Sequence, residues 1–291
     1  MHDGKGVRTV VYLKGCHLRC QWCHNPEGLS FAPQKAYYQH LCIGCGSCLK
    51  ICPQKCFSLQ VGKLAIDERN CTGCMACVEA CPVNAIVRYG EEYTPTRLYD
   101  VIKKDKAYYK ISGGGVTVSG GECLDQTEFL SAFFSLCKEN GIHTCIETSL
   151  DVPYEKVMQV VDRCDLVIVD VKAFDEEKHK RGTGVSNVRI KENLEKLSRQ
   201  HTDILIRTPI IPRFNDDENE LGAIVSFINS LGDGVNGYEL LRYNNLSESK
   251  YVALNKPVYG DGAQPQSLAR MQELKSFVRK RLKESVTLVE N

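Results

Sequence analysis

Lys14-Gly-Cys-His-Leu-Arg-Cys-Gln-Trp-Cys-His-Asn-Pro-Glu27 directly follows a short apolar strand that we predict over residues 9–13. The segment holds Cys16, Cys20 and Cys23, and three neighbouring thiolates can bind three irons of a [4Fe–4S] cube. The fourth iron then has no protein ligand and stays open to a small molecule. A structural zinc ion normally takes four ligands, and His24 is poorly placed to be the fourth. The spacing therefore favours a catalytic cluster over a zinc site or three buried free cysteines.

Two further cysteine arrays follow this segment, and they form the only internal repeat of the sequence. Each matches the run that binds clusters in bacterial ferredoxins, where the fourth cysteine serves the other cluster. We therefore expect two more [4Fe–4S] clusters with crossed ligand sets. The first set is Cys42, Cys45, Cys48 and Cys81, and the second is Cys71, Cys74, Cys77 and Cys52.

Five of the sixteen cysteines lie outside these arrays. Cys56 falls just past the first ferredoxin-like run, and we interpret it as a small buried hydrophobic residue. Cys137, Cys145 and Cys164 lie in predicted helices or strands and are interpreted in the same way. Cys123 stays open, because it lies in a loop near the proposed pocket.

Strands alternate with helices after residue 95, which predicts a parallel sheet with right-handed crossovers. Six strands are predicted in total, and six units suit an open barrel better than a closed eightfold one, although a doubly wound sheet stays an alternative. The predicted strands cover residues 9–13, 116–119, 143–148, 166–171, 204–209 and 238–241, and the helices 126–140, 153–163, 187–200, 217–231 and 266–283.

Residues 30–92 break this alternation, since they hold the two arrays and few long apolar runs. The expected fold is thus α/β: a partial (β/α)6 barrel with an inserted bacterial-ferredoxin-like domain. We expect the barrel to comprise residues 1–29 and 93–291, and the insert residues 30–92.

Polar residues stand where several predicted strands end, and the carboxyl ends of parallel strands are where such folds place their chemistry. Ser119-Gly120-Gly121-Glu122 ends the second strand, Glu147-Thr148 the third, and Asp170-Val171-Lys172 the fourth. Asp170 and Lys172 could also form a structural ion pair. Arg207 lies inside an apolar strand and needs an anionic partner; we favour a ligand carboxylate over a core acid.

Composition limits the classes of function. The charges of the 37 basic and 36 acidic residues nearly cancel. No sustained basic stripe appears in the sequence, so nucleic-acid binding is not indicated. No stretch approaches the roughly 20 apolar residues that a membrane-spanning helix needs, and no signal peptide is apparent. Sixteen cysteines without a secretory signal indicate thiols kept reduced for metal. We therefore expect a cytoplasmic protein.

Taken together, these motifs resemble the glycyl-radical enzyme activating enzymes of the radical S-adenosylmethionine superfamily. Cys16-x3-Cys20-x2-Cys23 is that superfamily's signature, and the two-cluster insert is similar to that of the larger members. The other matching segments are His2-Asp-Gly-Lys-Gly-Val-Arg-Thr9, Gly114-Gly-Val-Thr-Val-Ser-Gly-Gly-Glu122, Gly141-Ile-His-Thr-Cys-Ile-Glu-Thr148, Asp170-Val-Lys172, Gly184-Val-Ser-Asn187, Ile211-Pro-Arg-Phe-Asn215 and Leu240-Leu-Arg-Tyr-Asn244.

The resemblance implies a radical oxidoreductase. A reduced cluster on Cys16, Cys20 and Cys23 passes one electron to S-adenosylmethionine, which cleaves to methionine and a 5′-deoxyadenosyl radical. That radical takes a hydrogen atom from a backbone glycine of a partner glycyl-radical enzyme, and a hydroxyproline dehydratase is one candidate partner. The insert clusters would relay electrons from a ferredoxin or flavodoxin. The chain is expected to act as a monomer in an anaerobic setting.

The resemblance also implies roles for individual residues. Those expected to contact S-adenosylmethionine are Gly120, Gly121, Glu122, Lys172, Arg207 and Asn244. Asn244 stands where relatives commonly have a histidine. In the founding member a monovalent cation lies beside the cofactor, and its side-chain ligands map here to Glu147, Thr148 and Asp170. Glu147 replaces the usual aspartate at that position.

Two other classes of function stay open at this point. Another radical S-adenosylmethionine maturase of peptides or cofactors would often carry extra clusters after the barrel, but the sequence has no cysteine after Cys164. A non-catalytic electron-transfer protein would account for the insert, but not for the three-cysteine segment or the Gly-Gly-Glu turn.

Overall fold

Eleven strands and eleven α-helices form the part of the chain that the computed structural model describes, residues 3–60, 63–200, 203–259 and 263–290. The strands are β1 Arg8–Leu13, β2 Gln34–Tyr37, β3 Phe57–Gln60, β4 Lys63–Ile66, β5 Ile86–Tyr89, β6 Gly115–Gly120, β7 His143–Thr148, β8 Leu166–Asp170, β9 Ile204–Ile210, β10 Val235–Arg242 and β11 Thr287–Val289. The helices are α1 Ser47–Ile51, α2 Ala76–Glu79, α3 Pro95–Ile102, α4 Lys106–Ser112, α5 Thr127–Glu139, α6 Tyr154–Val161, α7 Glu176–Thr183, α8 Val188–Leu197, α9 Glu218–Ser230, α10 Glu248–Ala253 and α11 Leu268–Arg279.

Seven strands form one sheet in the order β1-β6-β7-β8-β9-β10-β11, and every neighbouring pair is parallel. The six predicted strands are all present, so the expected α/β partial barrel is confirmed. The seventh strand, β11, was not predicted, because three residues are too short to produce a hydrophobic period. β1 and β11 form the two edges of the sheet, which leaves it open.

The register of the sheet brings the predicted site residues to one edge. Leu13 lies opposite Gly120 across the β1–β6 pair. Asp170 lies opposite Arg207 in the β8–β9 pair, and Arg207 opposite Glu239 in the β9–β10 pair. Residues far apart in the sequence thus become neighbours at or near the carboxyl ends of the strands.

The main core lies between one face of this sheet and the surrounding helices. Val116 and Val118 of β6 and Ile146 of β7 are fully buried against Phe133 and Phe134 of α5. These strand positions alternate with polar ones such as Thr117 and Glu147, as the period of two residues in a strand requires. The opposite face of the sheet therefore carries the polar side chains.

The predicted helices are present with boundaries shifted by a few residues, and their caps explain where they begin. The Asp217 side chain accepts a hydrogen bond from the Glu220 amide at 2.9 Å and so begins α9. Helix α7 was not predicted, because its sequence Glu-Glu-Lys-His-Lys-Arg-Gly-Thr contains no large apolar side chain. Its cap, Asp175, and the left-handed Gly184 after it are signals that sequence reasoning could have used.

Two small antiparallel sheets, β2–β5 and β3–β4, lie in the segment predicted as the insert. The repeat that maps Cys42 onto Cys71 also maps β2 onto β4 and β5 onto β3. The segment is therefore built as two related halves, as expected of a ferredoxin-like domain with two clusters. The predicted limits of this domain, residues 30 and 92, stay a prediction.

Within the described ranges, no helix is both long and apolar enough to cross a bilayer.

Replacing Phe134 by alanine should destabilise the barrel by about 3–5 kcal/mol, because the change leaves a cavity in a fully buried part of the core. The free energy of unfolding can be measured by anaerobic urea denaturation followed by circular dichroism. The matched control is Ile111→Ala, since Ile111 is 86% exposed and also lies on a helix. It should change the free energy by less than about 0.5 kcal/mol. Equal effects of the two substitutions would contradict the core described above.

Candidate active site

The three-cysteine segment leaves the end of β1 and is hydrogen-bonded to the turn after β6. The Gly121 amide donates to the Leu13 carbonyl at 2.9 Å, and the Glu122 amide to the Gly15 carbonyl at 2.8 Å. The Gly15 amide donates to the Gly28 carbonyl at 2.8 Å, which closes the segment into a loop. The cysteine loop, residues 14–28, and the Gly-Gly-Glu turn are thus one backbone unit.

Gly120 and Gly121 are required by the close packing of this unit. A Cβ on Gly121 would lie 2.0 Å from the Gly15 carbonyl oxygen, and one on Gly120 would lie 2.2 Å from the Leu13 carbonyl oxygen. Gly120 also has a φ of +123°, which side chains disfavour. The backbone that lies against these two glycines is that of Leu13 and the cysteine loop. Their expected contact with S-adenosylmethionine stays a prediction.

The Glu122 carboxylate is buried and fully engaged within the protein. One oxygen accepts from the Thr148 hydroxyl at 2.6 Å and the Leu124 amide at 3.1 Å. The other accepts from the Ser149 amide at 2.8 Å and the Ser149 hydroxyl at 2.6 Å. With only 2% of Glu122 exposed, the carboxylate anchors the turn from behind, and its expected contact with S-adenosylmethionine stays a prediction.

The far side of the cysteine loop rests on α7. The Arg19 and Gln21 amides donate to the carbonyls of Thr183 and Gly182 at 2.7 and 2.9 Å. Trp22, between Cys20 and Cys23, packs against Phe214 in a tilted arrangement, with ring centroids 4.4 Å apart. A Cβ on Gly182 would lie 2.7 Å from the Trp22 ring, so this glycine makes room for the indole.

Cys16, Cys20 and Cys23 converge within this loop. Burial raises the pKa of the Cys16 and Cys20 thiols to about 12, and burial also raises that of Cys23. The Cys20 and Cys23 thiolates further raise the pKa of Cys16, and Cys23 raises that of Cys20, because like charges repel. Three thiolates so placed need a strongly positive partner, and the irons of a cluster are such a partner. The donor set therefore fits the expected [4Fe–4S] cluster.

Asp170 and Lys172 follow the end of β8 beside the cysteines. The Lys172 ammonium lies 2.7 Å from the Asp170 carboxylate. Burial acts to lower the pKa of Lys172, but the charges of Asp170 and the Cys20 thiolate outweigh it and raise the pKa above its usual value. The Asn215 side chain donates to the Lys172 carbonyl at 2.8 Å and holds this strand end in place. The predicted site residues Lys172 and Cys20 are thus brought together.

Arg207 is paired within the core. Its Nε donates to Glu239 at 2.6 Å and its Nη1 to Glu147 at 2.7 Å. These two carboxylates supply the anionic partner that we had assigned to a ligand, so the structure supports the alternative of a core acid. Only 4% of Arg207 is exposed, so its guanidinium lies within the core.

The three residues expected to bind a monovalent cation have other partners. Glu147 binds Arg207, the Thr148 hydroxyl donates to Glu122, and Asp170 binds Lys172. Burial raises the pKa of Glu147 although Arg207 opposes the shift. The cation stays a prediction from the resemblance.

Asn244 lies next to the end of the cysteine loop. Its backbone is in hydrogen-bonding contact with the His24 imidazole, and its side chain accepts from the Leu246 amide at 3.2 Å. The position expected from the resemblance is therefore close to Cys23. The Tyr251 hydroxyl, which the sequence did not single out, donates to the Cys23 carbonyl at 2.9 Å.

The two ferredoxin-like arrays enclose two apolar cavities. The first cluster cavity contains roughly 400 Å³ of space not filled by protein atoms, part of it open to solvent, and is lined by Cys42, Cys45, Cys48 and Cys81. The second cluster cavity contains roughly 330 Å³ and is lined by Cys52, Cys71, Cys74 and Cys77. Each cavity thus holds four thiols of the crossed sets, which is the donor set of a [4Fe–4S] cluster.

The described residues contain no group of three His, Cys, Asp or Glu side chains that could hold a single metal ion. All sixteen cysteines are free of disulfides. Cys123, Cys137, Cys145 and Cys164 are buried, and the Cys123 thiol donates to the Glu147 carbonyl at 3.3 Å. Cys56 lies at the rim of the second cluster cavity and is 3% exposed.

His17 joins the cysteine loop to two other loops, a contact that the sequence did not suggest. Its Nδ1 lies 2.9 Å from Asp125, after β6, and its Nε2 lies 3.1 Å from Asp151, after β7. Hydrogen bonds to Asp125 and Asp151 raise the pKa of His17 to about 10. The protonated ring donates to both carboxylates and fixes the loop between Cys16 and Cys20.

His17→Asn should lower stability in a pH-dependent manner. Because the folded-state pKa of His17 is about 10 and the ordinary value is about 6.5, its contribution is fully present below about pH 6.5 and is lost as the pH rises through about 10. The difference in urea midpoint between wild type and variant, measured anaerobically at intervals from pH 6 to 10, should therefore shrink toward pH 10. His40→Asn, at an exposed histidine, is the control. A constant difference across this range would argue against the assigned charge state.

Three family models match the chain. The radical SAM superfamily model matches residues 68–222, more than half of the chain. A 4Fe–4S dicluster domain model matches residues 41–85, and a 4Fe–4S single cluster domain model matches residues 2–50. These matches support iron–sulfur clusters in both parts of the chain.

Among solved structures, a domain of a pyruvate-formate lyase-activating enzyme from Bacteroides vulgatus is 28% identical, with a TM-score of 0.50. The match covers 61% of this chain and 99% of that domain. Streptococcus suis SuiB bound to its precursor peptide SuiA has a TM-score of 0.59 over 98% of this chain and 49% of its own. At 11% identity it shows a shared fold alone.

The curated relatives match over most of their own length. The (2S)-3-sulfopropanediol dehydratase activating enzyme of Klebsiella oxytoca is 44% identical, covering 88% of this chain and 83% of the relative. The trans-4-hydroxy-L-proline dehydratase activating enzyme of Clostridioides difficile is 40% identical, covering 94% and 91%. Such matches confirm the resemblance that the motifs suggested. The chain therefore belongs to the radical S-adenosylmethionine superfamily and, within it, to the activating enzymes of glycyl-radical enzymes.

Proposed function

We propose that this protein activates a partner glycyl-radical enzyme by abstracting a hydrogen atom from one of its backbone glycines. When bound, a [4Fe–4S] cluster on Cys16, Cys20 and Cys23 supplies the electron that splits S-adenosylmethionine into methionine and the 5′-deoxyadenosyl radical that takes this hydrogen. The products are 5′-deoxyadenosine, methionine and a glycyl radical. Membership of the family supports this reaction, and so does the geometry of the cysteine loop.

The single observation behind this proposal is the backbone unit of the cysteine loop and the Gly-Gly-Glu turn. Hydrogen bonds of 2.8–2.9 Å fix Gly121 and Glu122 to Leu13 and Gly15, so the turn and the cysteines keep one geometry. A ligand that binds the open iron and the turn together would therefore be held at two points. Such preorganisation orients a reacting bond without cost at the moment of reaction.

The charges near the loop support the binding of an amino acid group. Lys172, which lies close enough to Cys20 for its pKa to respond to that thiolate, can bind the methionyl carboxylate. The backbone of Gly120 and Gly121 can accept from the methionyl amino group, while the buried Glu122 carboxylate holds the turn. Asn244, beside His24, is the residue we assign to the adenosyl end. We assign Arg207 a supporting role, because Glu147 and Glu239 already neutralise it.

The insert, proposed as residues 30–92, would hold two further clusters and bring the total to three. Electrons from a ferredoxin or flavodoxin would reach the catalytic cluster through them. The two apolar cavities, each lined by four cysteines, support this number. A reducing cytoplasm is the compartment that suits sixteen free thiols, and we propose that the enzyme acts there as a monomer.

The partner is best sought among glycyl-radical dehydratases. The two relatives described above are named for the activation of a sulfopropanediol dehydratase and a hydroxyproline dehydratase. Both enzymes eliminate water from small hydroxylated substrates, and a hydroxyproline dehydratase stays one candidate for the partner of this chain.

The purified, cluster-loaded enzyme should cleave S-adenosylmethionine under anaerobic reduction. We expect 5′-deoxyadenosine by chromatography, and a glycyl-radical doublet in the electron paramagnetic resonance (EPR) spectrum of a co-expressed dehydratase partner. Omitting the reductant is the control and should abolish both signals. Iron loading sufficient for three clusters without any 5′-deoxyadenosine would overturn the proposal.

Cys23→Ala should abolish 5′-deoxyadenosine formation, because it removes one of three ligands of the catalytic cluster. The two insert clusters should stay intact, since their ligands lie in separate cavities. Iron content and EPR spectra of the reduced protein measure this directly. The matched control is Cys137→Ala, at a cysteine buried in α5 away from the loop; it should keep full iron and turnover. Turnover that survives in Cys23→Ala would exclude the assigned ligand set.

A further inference from the structure

The two cluster cavities are built by the same repeat, so their linings can be compared position by position. The repeat maps Cys42 onto Cys71 and Cys52 onto Cys81. In both halves the amide four residues after the last cysteine points at its sulfur: Cys56 N lies 3.4 Å from Cys52 Sγ, and Ala85 N lies 3.2 Å from Cys81 Sγ. The two cavities therefore share this backbone contact.

One lining position differs in charge. Lys35 of β2 lines the second cluster cavity, and the repeat maps it onto Leu64 of β4, which lines the first. The two residues hold the same place in their small sheets, since Lys35 is paired with Arg88 and Leu64 with Leu59. The Lys35 ammonium lies 3.0 Å from the Cys71 sulfur, with 7% of the side chain exposed. Leu64 is 9% exposed and carries no charge.

The other polar contacts of the two cavities come from neutral groups or from exposed charges. In the first cavity the Ser47 hydroxyl lies 3.4 Å from the Cys45 sulfur, and the charge of the exposed Lys50 acts on the same sulfur. The Tyr37 hydroxyl is hydrogen-bonded to Cys42 in the first cavity, and the Gly73 amide lies 3.4 Å from Cys71 in the second. Glu68 lies 2.6 Å from the Lys35 ammonium, but 48% of its side chain is exposed. Water screens an exposed carboxylate far more than a buried ammonium. The second cavity therefore has a buried positive charge that the first lacks.

We propose that Lys35 makes the cluster of Cys52, Cys71, Cys74 and Cys77 the higher-potential cluster of the insert, so that an electron entering the insert settles there first. Reduction adds one negative charge to a cluster, and a buried cation that donates to a ligand sulfur stabilises this reduced state. The cluster beside Leu64 lacks that stabilisation and is reduced second. This inference rests on the proposed function in one respect, the presence of two clusters in the insert.

The test is a redox titration of the anaerobic, cluster-loaded enzyme, followed by EPR. Added S-adenosylmethionine marks the catalytic cluster, since only its spectrum should change. In Lys35→Met, which keeps the length of the side chain and removes its charge, one insert midpoint should fall, and that midpoint should be the higher one of the wild type. At a fixed solution potential we expect the reduced-to-oxidised ratio of this cluster to fall at least tenfold, which corresponds to 59 mV for one electron.

Glu68→Gln provides the opposite sign. It leaves Lys35 in place and removes the charge that partly neutralises it, so the same midpoint should rise. A merely structural role of Lys35 would not produce shifts of opposite direction at one cluster. Lys50→Met is the matched control, because Lys50 is an exposed lysine of the same insert whose charge acts on Cys45, a ligand of the other cluster; the higher midpoint should stay unchanged.

Unchanged or raised midpoints in Lys35→Met would overturn the inference. Should that variant fail to load its second cluster, the Glu68→Gln titration decides the matter, and an unmoved midpoint there counts against Lys35. Iron for fewer than two insert clusters in the wild-type enzyme would instead contradict the proposed function. The two failures are therefore distinguishable.

Discussion

A single buried carboxylate, that of Glu122, holds together the ends of three strands. The Glu122 amide donates to the loop after β1. The two carboxylate oxygens accept from Thr148, at the end of β7, and from Ser149, directly after it. A buried carboxylate without donors would cost several kcal/mol, so four donors converge on this one and leave little freedom to the surrounding loops. The position of the cysteine loop depends on this contact, because the loop is bound to the same turn.

Paired charges extend this organisation along the sheet. Arg207 is held between Glu147 and Glu239, and Lys172 is held by Asp170. The two pairs of Arg207 join strands that lie far apart in the sequence, whereas Asp170 and Lys172 lie close together at the end of β8. His17 does the same within the cysteine loop, since two aspartates from different loops bind its ring. The site is thus shaped by charges that the protein itself satisfies.

The insert is organised differently. Its two halves repeat one backbone arrangement, and single side chains make the halves differ. Its halves share cysteine spacing, strand pairing and amide contacts, so they provide two similar cavities. Lys35 in one half and Leu64 in the other break that equivalence, because only Lys35 places a charge beside a cysteine sulfur of its cavity. A relay of two equal clusters would have no preferred resting place for an electron, whereas unequal clusters have one.

The sequence by itself determined the clusters, the parallel sheet and the family, because these are written in short-range patterns. Cys16, Cys20 and Cys23 lie within one short segment, so their thiols are close together in space. The alternation of apolar residues in a strand is likewise a local pattern that does not depend on the rest of the fold. The sequence could not determine which acid binds Arg207, what faces Glu122, or that His17 bridges two loops. Those contacts join residues 27 to 134 positions apart, and only the register of the folded sheet selects one partner among many acids and hydroxyls. Tertiary structure alone therefore decided which acids, hydroxyls and loops hold the predicted site residues in place.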